Sequence, residues 1–515
     1  MTSQRNIRNF KIWLRHSYWQ IAFAVLYFAG MVLFFPFRNV FWMNLDEGIN
    51  LVKAQMVLRD FALYADIWND QPPLLTYLLA AVIRLFGPRA NAGRLLVLLL
   101  ACTLMWAYLQ FLSSVWGNWQ AAAGAILLLV LPLYMDLSVS VLVGLPAIAL
   151  GMVSLWALVL WHKTRTSVWL AVSALALALS ILTKIFTGLL APIFLAGILA
   201  GEFSRYREIG NWRRALAPAL LWGTAFTLFL VIPAVILIHP DNFGQLLEEH
   251  ISARQLAVYR NDPSYSLAWQ LQEARPILLL AILGAVYVIL SRRWLGLYPL
   301  AWMGTAYLLL FRHVPVWSHQ QLLITIPAVT LAAGAAGEAL SSLWSLPSYW
   351  IKARALPLKS LNRTTWLNLA SMGLFLLVLA NRGPVTLSAF NSSPAFKVPE
   401  FRATSSEVKF LRYLRQYAPQ TRWLVTDLPM FAFYADLPVP PNLVVFSSKR
   451  VETGELTEEE VLKTIQEYRP EQILLGRFEF PSLRRHLKEQ YRLVQARELY
   501  ELYVSKDIIP VEPSN

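Results

Sequence analysis

The feature of this chain that most limits how it can fold is a series of apolar runs, each close to the length of a membrane-spanning helix. A helix needs about 20 mostly apolar residues to cross a bilayer. Composition agrees, because 57% of the residues are hydrophobic and 15% are charged, whereas about 25% of residues are charged in a soluble protein. The sequence therefore predicts a polytopic α-helical membrane protein and excludes an ordinary soluble enzyme. About eleven spans are expected, at roughly 19–37, 94–113, 119–135, 139–161, 167–183, 186–201, 215–238, 276–291, 296–312, 320–340 and 364–381.

Lys and Arg residues predict the orientation, because loops on the cytoplasmic side of a membrane are enriched in both. The deciding segment is 72–87, which is apolar but short for a span. If it crosses the membrane, the basic loops at 162–165 and 202–214 fall outside. If it lies along the outer surface, all the strongly basic segments face the cytoplasm. We therefore expect an interfacial helix at 72–87, a cytoplasmic N-terminus and an extracytoplasmic C-terminus in a multi-pass protein of the cell membrane, with no nucleic-acid partner.

Domain organisation follows from a change of composition near residue 382. We expect a transmembrane domain at 1–381, whose first outer loop is 38–93, a linker at 382–399 and an extracytoplasmic domain at 400–515. In this last part, short apolar runs alternate with helical patterns, which predicts a small α/β domain. The expected strands lie at 423–427, 442–446 and 472–476, and a helix is expected at 457–467.

Under this topology, the acidic residues of the membrane part gather on the outer side. Acidic residues contribute little to orientation, so their clustering is independent information about function. The outer face is therefore expected to hold a carboxylate-rich region. Its members are Asp46, Glu47, Asp60, Asp66, Asp70, Asp136, Asp241, Glu248, Glu249, Asp262 and Glu273.

The first outer loop carries several short motifs in a fixed order. An acidic pair by itself often does no more than stabilise the first turn of a helix, but the combination is more specific. It resembles the C-type glycosyltransferases, in particular the protein O-mannosyltransferases and the bacterial aminoarabinose transferases. The motifs are Asp46-Glu47-Gly48, Tyr64-Ala65-Asp66, Pro72-Pro73-Leu74 and Phe86-Gly87, followed by Asp136, Lys184 in Leu-Thr-Lys, Glu249-His250-Ile251 and Pro327. The resemblance covers roughly 1–340, and its one departure is Gln71, where the family often has Lys.

The resemblance implies transfer of a hexose or pentose from a polyprenyl-phosphate donor to a protein, lipid or glycan acceptor of the cell envelope. Nucleotide sugars stay in the cytoplasm, so a lipid-phosphate sugar is the activated donor available outside. Such an enzyme needs a carboxylate that takes the proton from the acceptor, and we predict Asp46 for this role, with Glu47 beside it. The family inverts configuration, which implies a single displacement without a covalent intermediate.

The donor phosphate needs cations, because negative charge develops on it in the transition state. Lys184, His250, Arg254 and His319 are the candidates, and Arg312 lies at a similar boundary. Each has a plainer alternative: Lys184 can extend to the membrane surface, both histidines can be structural, and Arg254 suits a solvated loop.

Two further acids are candidates for positioning donor or acceptor. Asp136 either caps a helix that begins near Ser138 or belongs to the site, and Asp66 either positions substrate or braces the loop. No cofactor is predicted to be required. A divalent metal stays open, since Asp46, Glu47 and Asp136 supply oxygen ligands, although the branch that the chain resembles generally does without one. The single cysteine, Cys102, excludes a cysteine-rich metal site and an intrachain disulfide.

Two other functions remain open at this stage. A transporter or flippase of a lipid-linked sugar would also need many spans and a lipid groove. Such proteins often contain internal repeats and carry their sites near the middle of the bilayer, whereas this chain has no visible repeat and its acids lie near the surface. A non-catalytic member of the family is the second alternative, and the retained Asp46-Glu47 pair argues against it.

Overall fold

The structure is a computed structural model that describes residues 2–35, 37–206, 212–238, 261–350, 363–392, 406–497 and 500–508, together with residues 242, 244 and 259. Side chains are described within these ranges except at 2–17, 39, 212, 345–350, 363 and 389–392. The described chain forms a bundle of apolar helices, a helical first loop and a small α/β domain that packs on this loop.

Apolar helices make up the membrane domain. Seven helical segments of the described chain are long and apolar enough to cross a membrane, and a bent pair would add an eighth. Tyr18–Phe34, Ser167–Thr183 and Arg275–Leu290 are apolar but shorter. If these three also cross, the expected eleven spans are reached. The helices are Thr2–Phe34, Ala90–Val115, Asn118–Leu129, Pro132–Ser138, Gly144–Thr164, Ser167–Thr183, Leu190–Tyr206, Trp212–Leu237, Arg275–Leu290, Leu297–Phe311, Leu322–Trp350 and Arg363–Ser392.

Three of the expected spans differ from the structure. The run 119–135 is not one helix but two, Asn118–Leu129 and Pro132–Ser138, which meet at 76°. Proline disfavours helical geometry in the preceding residue, and Leu131 is indeed extended, with φ −96° and ψ 101°. The next helix begins at Gly144 rather than at 139.

The last span runs further than expected. Its helix continues to Ser392, into the segment 382–399 that was expected to be a linker. The charge of Arg382 suggested an end there, but this side chain is nearly buried and pairs with Glu273 at 3.4 Å. Pro384 lies inside the helix without ending it.

The first outer loop is built around two helices. We call Leu45–Val57 the surface helix; it is almost entirely buried between the membrane domain and the C-terminal domain. Leu74–Phe86 packs against the surface helix and against Ala90–Val115. With 13 residues it is about 20 Å long, shorter than the roughly 30 Å apolar core of a bilayer. This length fits the expected interfacial helix.

The C-terminal domain contains a four-stranded mixed sheet. Its strands are β1 (Leu424–Thr426), β2 (Gln472–Leu475), β3 (Tyr491–Arg497) and β4 (Tyr500–Ser505), in the order β1-β2-β4-β3. β1 and β2 are parallel, whereas β4 is antiparallel to both of its neighbours. Its described helices are Ser406–Tyr417, Pro429–Ala435, Ser448–Glu452, Glu458–Tyr468 and Pro481–Gln490.

The sequence predicted two of these strands and one helix well. Thr457 caps the helix Glu458–Tyr468 by a reciprocal hydrogen-bond pair with Glu460, as the acidic start indicated. The expected strand 442–446 is wrong. Pro441 cannot donate to a strand ladder and instead opens a 3₁₀ turn at Pro441–Leu443. The hairpin β3–β4 was not predicted, because its strands carry charged side chains at exposed positions.

The C-terminal domain docks on the surface helix through the short helix Pro429–Ala435. At Gly48 the two helices approach so closely that a Cβ atom would lie 2.5 Å from the backbone nitrogen of Met430. Arg59 forms an ion pair with Asp436 at 2.8 Å. The glycine of the Asp46-Glu47-Gly48 motif is therefore a packing requirement between the two domains.

Candidate active site

One large cavity, of about 680 Å³, lies where the membrane domain, the first outer loop and the C-terminal domain meet. The start of the surface helix forms one wall, together with Asp70 and Gln71. Breaks between apolar helices, at 184–186 and 313–320, form a second wall. The third wall comes from the C-terminal domain, at 445–455 and Arg477.

Asp46 lies in the first turn of the surface helix and lines this cavity. Asn44 caps the helix, since its Oδ1 accepts a hydrogen bond from the backbone N–H of Asp46 at 2.9 Å. Burial raises the pKa of the Asp46 carboxyl, and the positive charge of Arg477 is the largest influence that opposes this rise. A carboxylate with a raised pKa in a cavity is suited to proton transfer.

Glu47, the neighbour of Asp46, does not line the cavity. Both of its carboxylate oxygens accept from the Arg94 guanidinium, at 2.7 and 2.8 Å, and neither side chain is exposed. Oε2 also accepts from the backbone N–H of Met43 at 2.9 Å. Arg94 Nη1 donates in addition to the carbonyls of Phe37 and Val40. The structure thus places Glu47 as a brace of the loop that leads into the surface helix, which differs from the predicted catalytic role.

Lys53 is a cation of the site that sequence reasoning missed. It lines the cavity, is only 2% exposed, and its Nζ donates to Asn69 Oδ1 at 3.0 Å. Burial lowers the pKa of Lys53 to about 8, opposed by the charges of Asp70 and Asp46. Residues seven apart share one face of a helix, so the spacing of Asp46 and Lys53 could have revealed it.

Lys184 and His319, both predicted as ligands of the donor phosphate, come together although they lie on different helix breaks. Lys184 follows Ser167–Thr183, and His319 lies in the turn Ser318–Gln321. Both line the cavity. A Cβ atom on Gly144 would be 3.7 Å from Lys184 Nζ and 3.9 Å from His319 Cδ2, so all three residues are neighbours. Lys184 is buried at the cavity and does not extend to a lipid surface.

Two further predicted site residues, Asp66 and Asp136, are not brought to this cavity. Asp66 is exposed, and its Oδ2 accepts from the N–H of Ala62 at 2.7 Å within its own loop. Asp136 lies in the short helix Pro132–Ser138 and does not line the cavity. It does not cap the next helix either, because that helix begins at Gly144. His250 and Arg254 lie outside the described residues.

The C-terminal domain adds cations that the sequence did not single out. Lys449 and Arg477 both line the cavity, and Lys449 Nζ lies 3.3 Å from Asp70 Oδ2. No local pattern marks them, because they reach the site only through domain docking. This contribution of a distant domain is the main part of the site that motif reading could not find.

Metal ligation finds little support in the arrangement. Of the three acids considered, Asp46 lines the cavity, while Glu47 is engaged by Arg94 and Asp136 lies elsewhere. Within the ranges that the structure describes, no group of three or more His, Cys, Asp or Glu side chains is arranged to hold a metal ion.

Comparison with sequence families gives one match. Residues 70–239 match the model of the dolichyl-phosphate-mannose-protein mannosyltransferase family. This segment includes the Pro-Pro-Leu motif and Lys184. Among curated proteins, no sequence match to the chain is found.

Comparison with solved structures gives matches over almost the whole chain. ArnT from Cupriavidus metallidurans bound to undecaprenyl phosphate matches with a TM-score of 0.57 at 14% identity, over 95% of this chain and 98% of that one. The archaeal oligosaccharyltransferase AglB from Archaeoglobus fulgidus, in complex with an inhibitory peptide and a dolichol-phosphate, matches with a TM-score of 0.55 at 12% identity, over 96% of this chain and 75% of that one. The predicted resemblance to C-type glycosyltransferases is thereby confirmed, as is the fold class.

Proposed function

We propose that this protein is a membrane glycosyltransferase that moves a sugar from a polyprenyl-phosphate donor to an acceptor on the extracytoplasmic face, with inversion and with Asp46 as the general base. The observation that carries the proposal is the meeting of Asp46, Lys184 and His319 around one cavity. These residues are far apart in the sequence, and the sequence predicts each of them for donor or acceptor chemistry.

Similar proteins support the same chemistry. The matched family model describes a mannosyltransferase that uses dolichyl phosphate mannose, and the two solved structures of like fold contain undecaprenyl phosphate and dolichol-phosphate. The cavity lies at the ends of apolar helices, so a prenyl chain can stay among the helices while its phosphate reaches Lys184.

The residues divide the reaction between them. Lys184, with His319 beside it and with Lys53, which also lines the cavity, holds the donor phosphate and stabilises the charge that develops as the phosphate departs. Asp46 takes the proton of the attacking hydroxyl or amine. Burial raises the pKa of its carboxyl and so makes it a stronger base, while the positive charges of Arg477, Lys53 and Lys184 oppose this rise. Glu47 acts indirectly, because its ion pair with Arg94 fixes the turn that presents Asp46.

The substitution Asp46→Asn tests this mechanism. It removes the base while keeping the size and the helix start, so sugar transfer should fall by at least about 100-fold, the range expected for loss of acid–base catalysis. Transfer is measured in vesicles with a panel of undecaprenyl-phosphate sugars, and donor binding with undecaprenyl phosphate. Expression and lipid binding should stay within about twofold of the wild type, since no phosphate ligand is lost.

Asp60→Asn is the matched control. Asp60 lies in the same loop, is exposed and does not line the cavity, so transfer should be unchanged. Full transfer by Asp46→Asn would refute the assignment of the base. If the wild-type protein moves undecaprenyl-phosphate sugars across the vesicle membrane and transfers no sugar to an acceptor, a flippase is favoured instead.

A further inference from the structure

The loop after strand β2 is fixed by hydrogen bonds from its backbone to one buried carboxylate. Asp427 is fully buried, and its two oxygens accept from three successive backbone N–H groups, those of Gly476, Arg477 and Phe478, at 2.7–2.9 Å. These hydrogen bonds satisfy a carboxylate that burial would otherwise penalise. They also fix the backbone of the residue between them, which is Arg477.

Arg477 projects from this fixed loop into the wall of the cavity. Its Nη2 donates to Ser448 Oγ at 3.1 Å. Its Nη1 is buried and has no hydrogen-bond partner among the described residues. A buried donor without an acceptor is destabilising, because it has lost its hydrogen bonds to water. Arg477 thus keeps one donor that a ligand can satisfy, and because Nη1 is not exposed to the cavity as it stands, the side chain must turn for the two to meet.

The charged residues that line the cavity favour an anionic ligand. Its described lining has three acidic residues, Asp46, Asp70 and Glu455, and four cationic ones, Lys53, Lys184, Lys449 and Arg477. Lys449 already pairs with Asp70. With neutral histidines, the lining has one more cation than acid, which matches the single negative charge of a phosphodiester. Without Arg477 this excess would be lost.

We propose that Arg477 is a ligand of the donor phosphate, so that the C-terminal domain supplies a catalytic cation to a cavity built largely by the membrane domain. This inference rests on the proposed function and extends it. In the displacement, the acceptor oxygen or nitrogen bonds to the anomeric carbon and its proton passes to Asp46. The bond from this carbon to the phosphate oxygen breaks, and its electron pair stays on the phosphate. The phosphate changes from a monoanion to a dianion, so its attraction to Arg477 grows along the reaction. Asp427 is a positioning residue in this scheme.

Binding of undecaprenyl phosphate by the full-length protein tests the inference without requiring the sugar to be known. Arg477→Gln should weaken this binding by about tenfold or more, as expected for the loss of a charged hydrogen bond, and Arg477→Lys should recover part of it. Arg485→Gln, an exposed arginine of the same domain, serves as the matched control and should bind like the wild type. Undecaprenol, which has the chain but no phosphate, should bind all variants equally.

Each outcome has one meaning. Equal binding of undecaprenyl phosphate by Arg477→Gln and the wild type overturns the inference and leaves the proposed function intact. An equal loss of undecaprenol and undecaprenyl phosphate also overturns it, because the effect would then be structural. Normal lipid binding with slower transfer would assign Arg477 to the acceptor and not to the donor. A wild-type protein that binds no undecaprenyl phosphate would instead refute the proposed function itself.

Discussion

Two adjacent acidic residues have different surroundings in this structure. Asp46 and Glu47 are about 100° apart around the surface helix, so one faces the cavity while the other points into the protein. The sequence predicted a functional role for the acidic pair, but it could not show that Asp46 faces the cavity while Glu47 pairs with a buried arginine. The partner that decides the role of Glu47 is Arg94, at the start of an apolar helix 47 residues away in the chain. Buried pairs of this kind have no local sequence pattern.

The buried Lys53 predicts a characteristic pH dependence of transfer. Asp46 must be ionised to act as a base, and because burial raises its pKa, activity should be lost on the acidic side at a higher pH than for an ordinary aspartate. Lys53 and Lys184 must be protonated to attract phosphate, so activity should fall again as the pH rises through about 8, the value to which burial lowers the pKa of each. The profile of kcat/KM against pH should therefore be bell-shaped.

Substitution of Lys53 tests whether this lysine contributes to the loss of activity at high pH. Lys53→Arg should make the alkaline limb less steep, because a guanidinium stays protonated throughout the range and, of the two lysines, Lys184 alone then loses its proton near pH 8. Lys488→Arg, at an exposed position of the C-terminal domain, is the matched control and should leave the profile unchanged. An alkaline limb that keeps its full slope in Lys53→Arg would show that Lys53 does not contribute to it.

At the scale of elements, the sequence predicted the membrane domain well and the C-terminal domain less well. Spans are predictable because a single requirement, an apolar length that matches the bilayer, acts locally on each run. The same requirement could not show that Pro132 divides one run into two helices at 76°. Short strands depend on their neighbours in the sheet. Hence the apolar run 442–446 forms no strand, while the charged β3 does.

The contact between the surface helix and the helix Pro429–Ala435 yields a prediction about Gly48. In Gly48→Ala, the new Cβ would lie 2.5 Å from the backbone nitrogen of Met430, and backbone cannot yield as a side chain does. The helices must separate, at a cost of about 1–3 kcal/mol as for other overpacked interfaces. The thermal midpoint in detergent should fall, and undecaprenyl phosphate should bind more weakly because Lys449 and Arg477 withdraw with their domain.

Gly30→Ala is the matched control for Gly48→Ala. Gly30 lies inside the first helix, and a Cβ there would meet nothing within 4 Å. Alanine favours a helix over glycine by roughly 1 kcal/mol, so this variant should be as stable as the wild type or slightly more stable. If Gly48→Ala is as stable as the wild type, the contact between the surface helix and the helix Pro429–Ala435 does not hold the two domains together.

At the scale of the whole molecule, the site exists only because the two domains are docked. Asp46 belongs to the first outer loop, Lys184 and His319 to breaks between apolar helices, and Arg477 to the C-terminal domain. Motif reading found the first three, since the resemblance marks Asp46 and Lys184 and a polar turn marks His319. It missed the fourth, because neither composition nor periodicity specifies which loop of a domain faces its neighbour.

Orientation in the membrane is the remaining prediction at this scale. Cysteine placed at Ala62 or Arg485, both exposed, should react with a membrane-impermeant maleimide in intact cells, because these residues lie on the side of the cavity. Cysteine at the exposed Arg292, in the turn between Arg275–Leu290 and Leu297–Phe311, should react only after the membrane is permeabilised. Each is introduced into a Cys102→Ser background, so that the native thiol does not contribute.

The reverse pattern would have consequences beyond topology. With Arg292→Cys labelled in intact cells and Ala62→Cys protected, the cavity would open to the cytoplasm, where nucleotide sugars are available and a flipped lipid donor is not needed. Basic loops would then face outward against the usual bias of Lys and Arg. The expected pattern, in contrast, places Asp46 and the cations of the cavity on the only side where a lipid phosphate is the accessible form of an activated sugar. The orientation of the chain thus decides the chemical class of the donor before any substrate is tested.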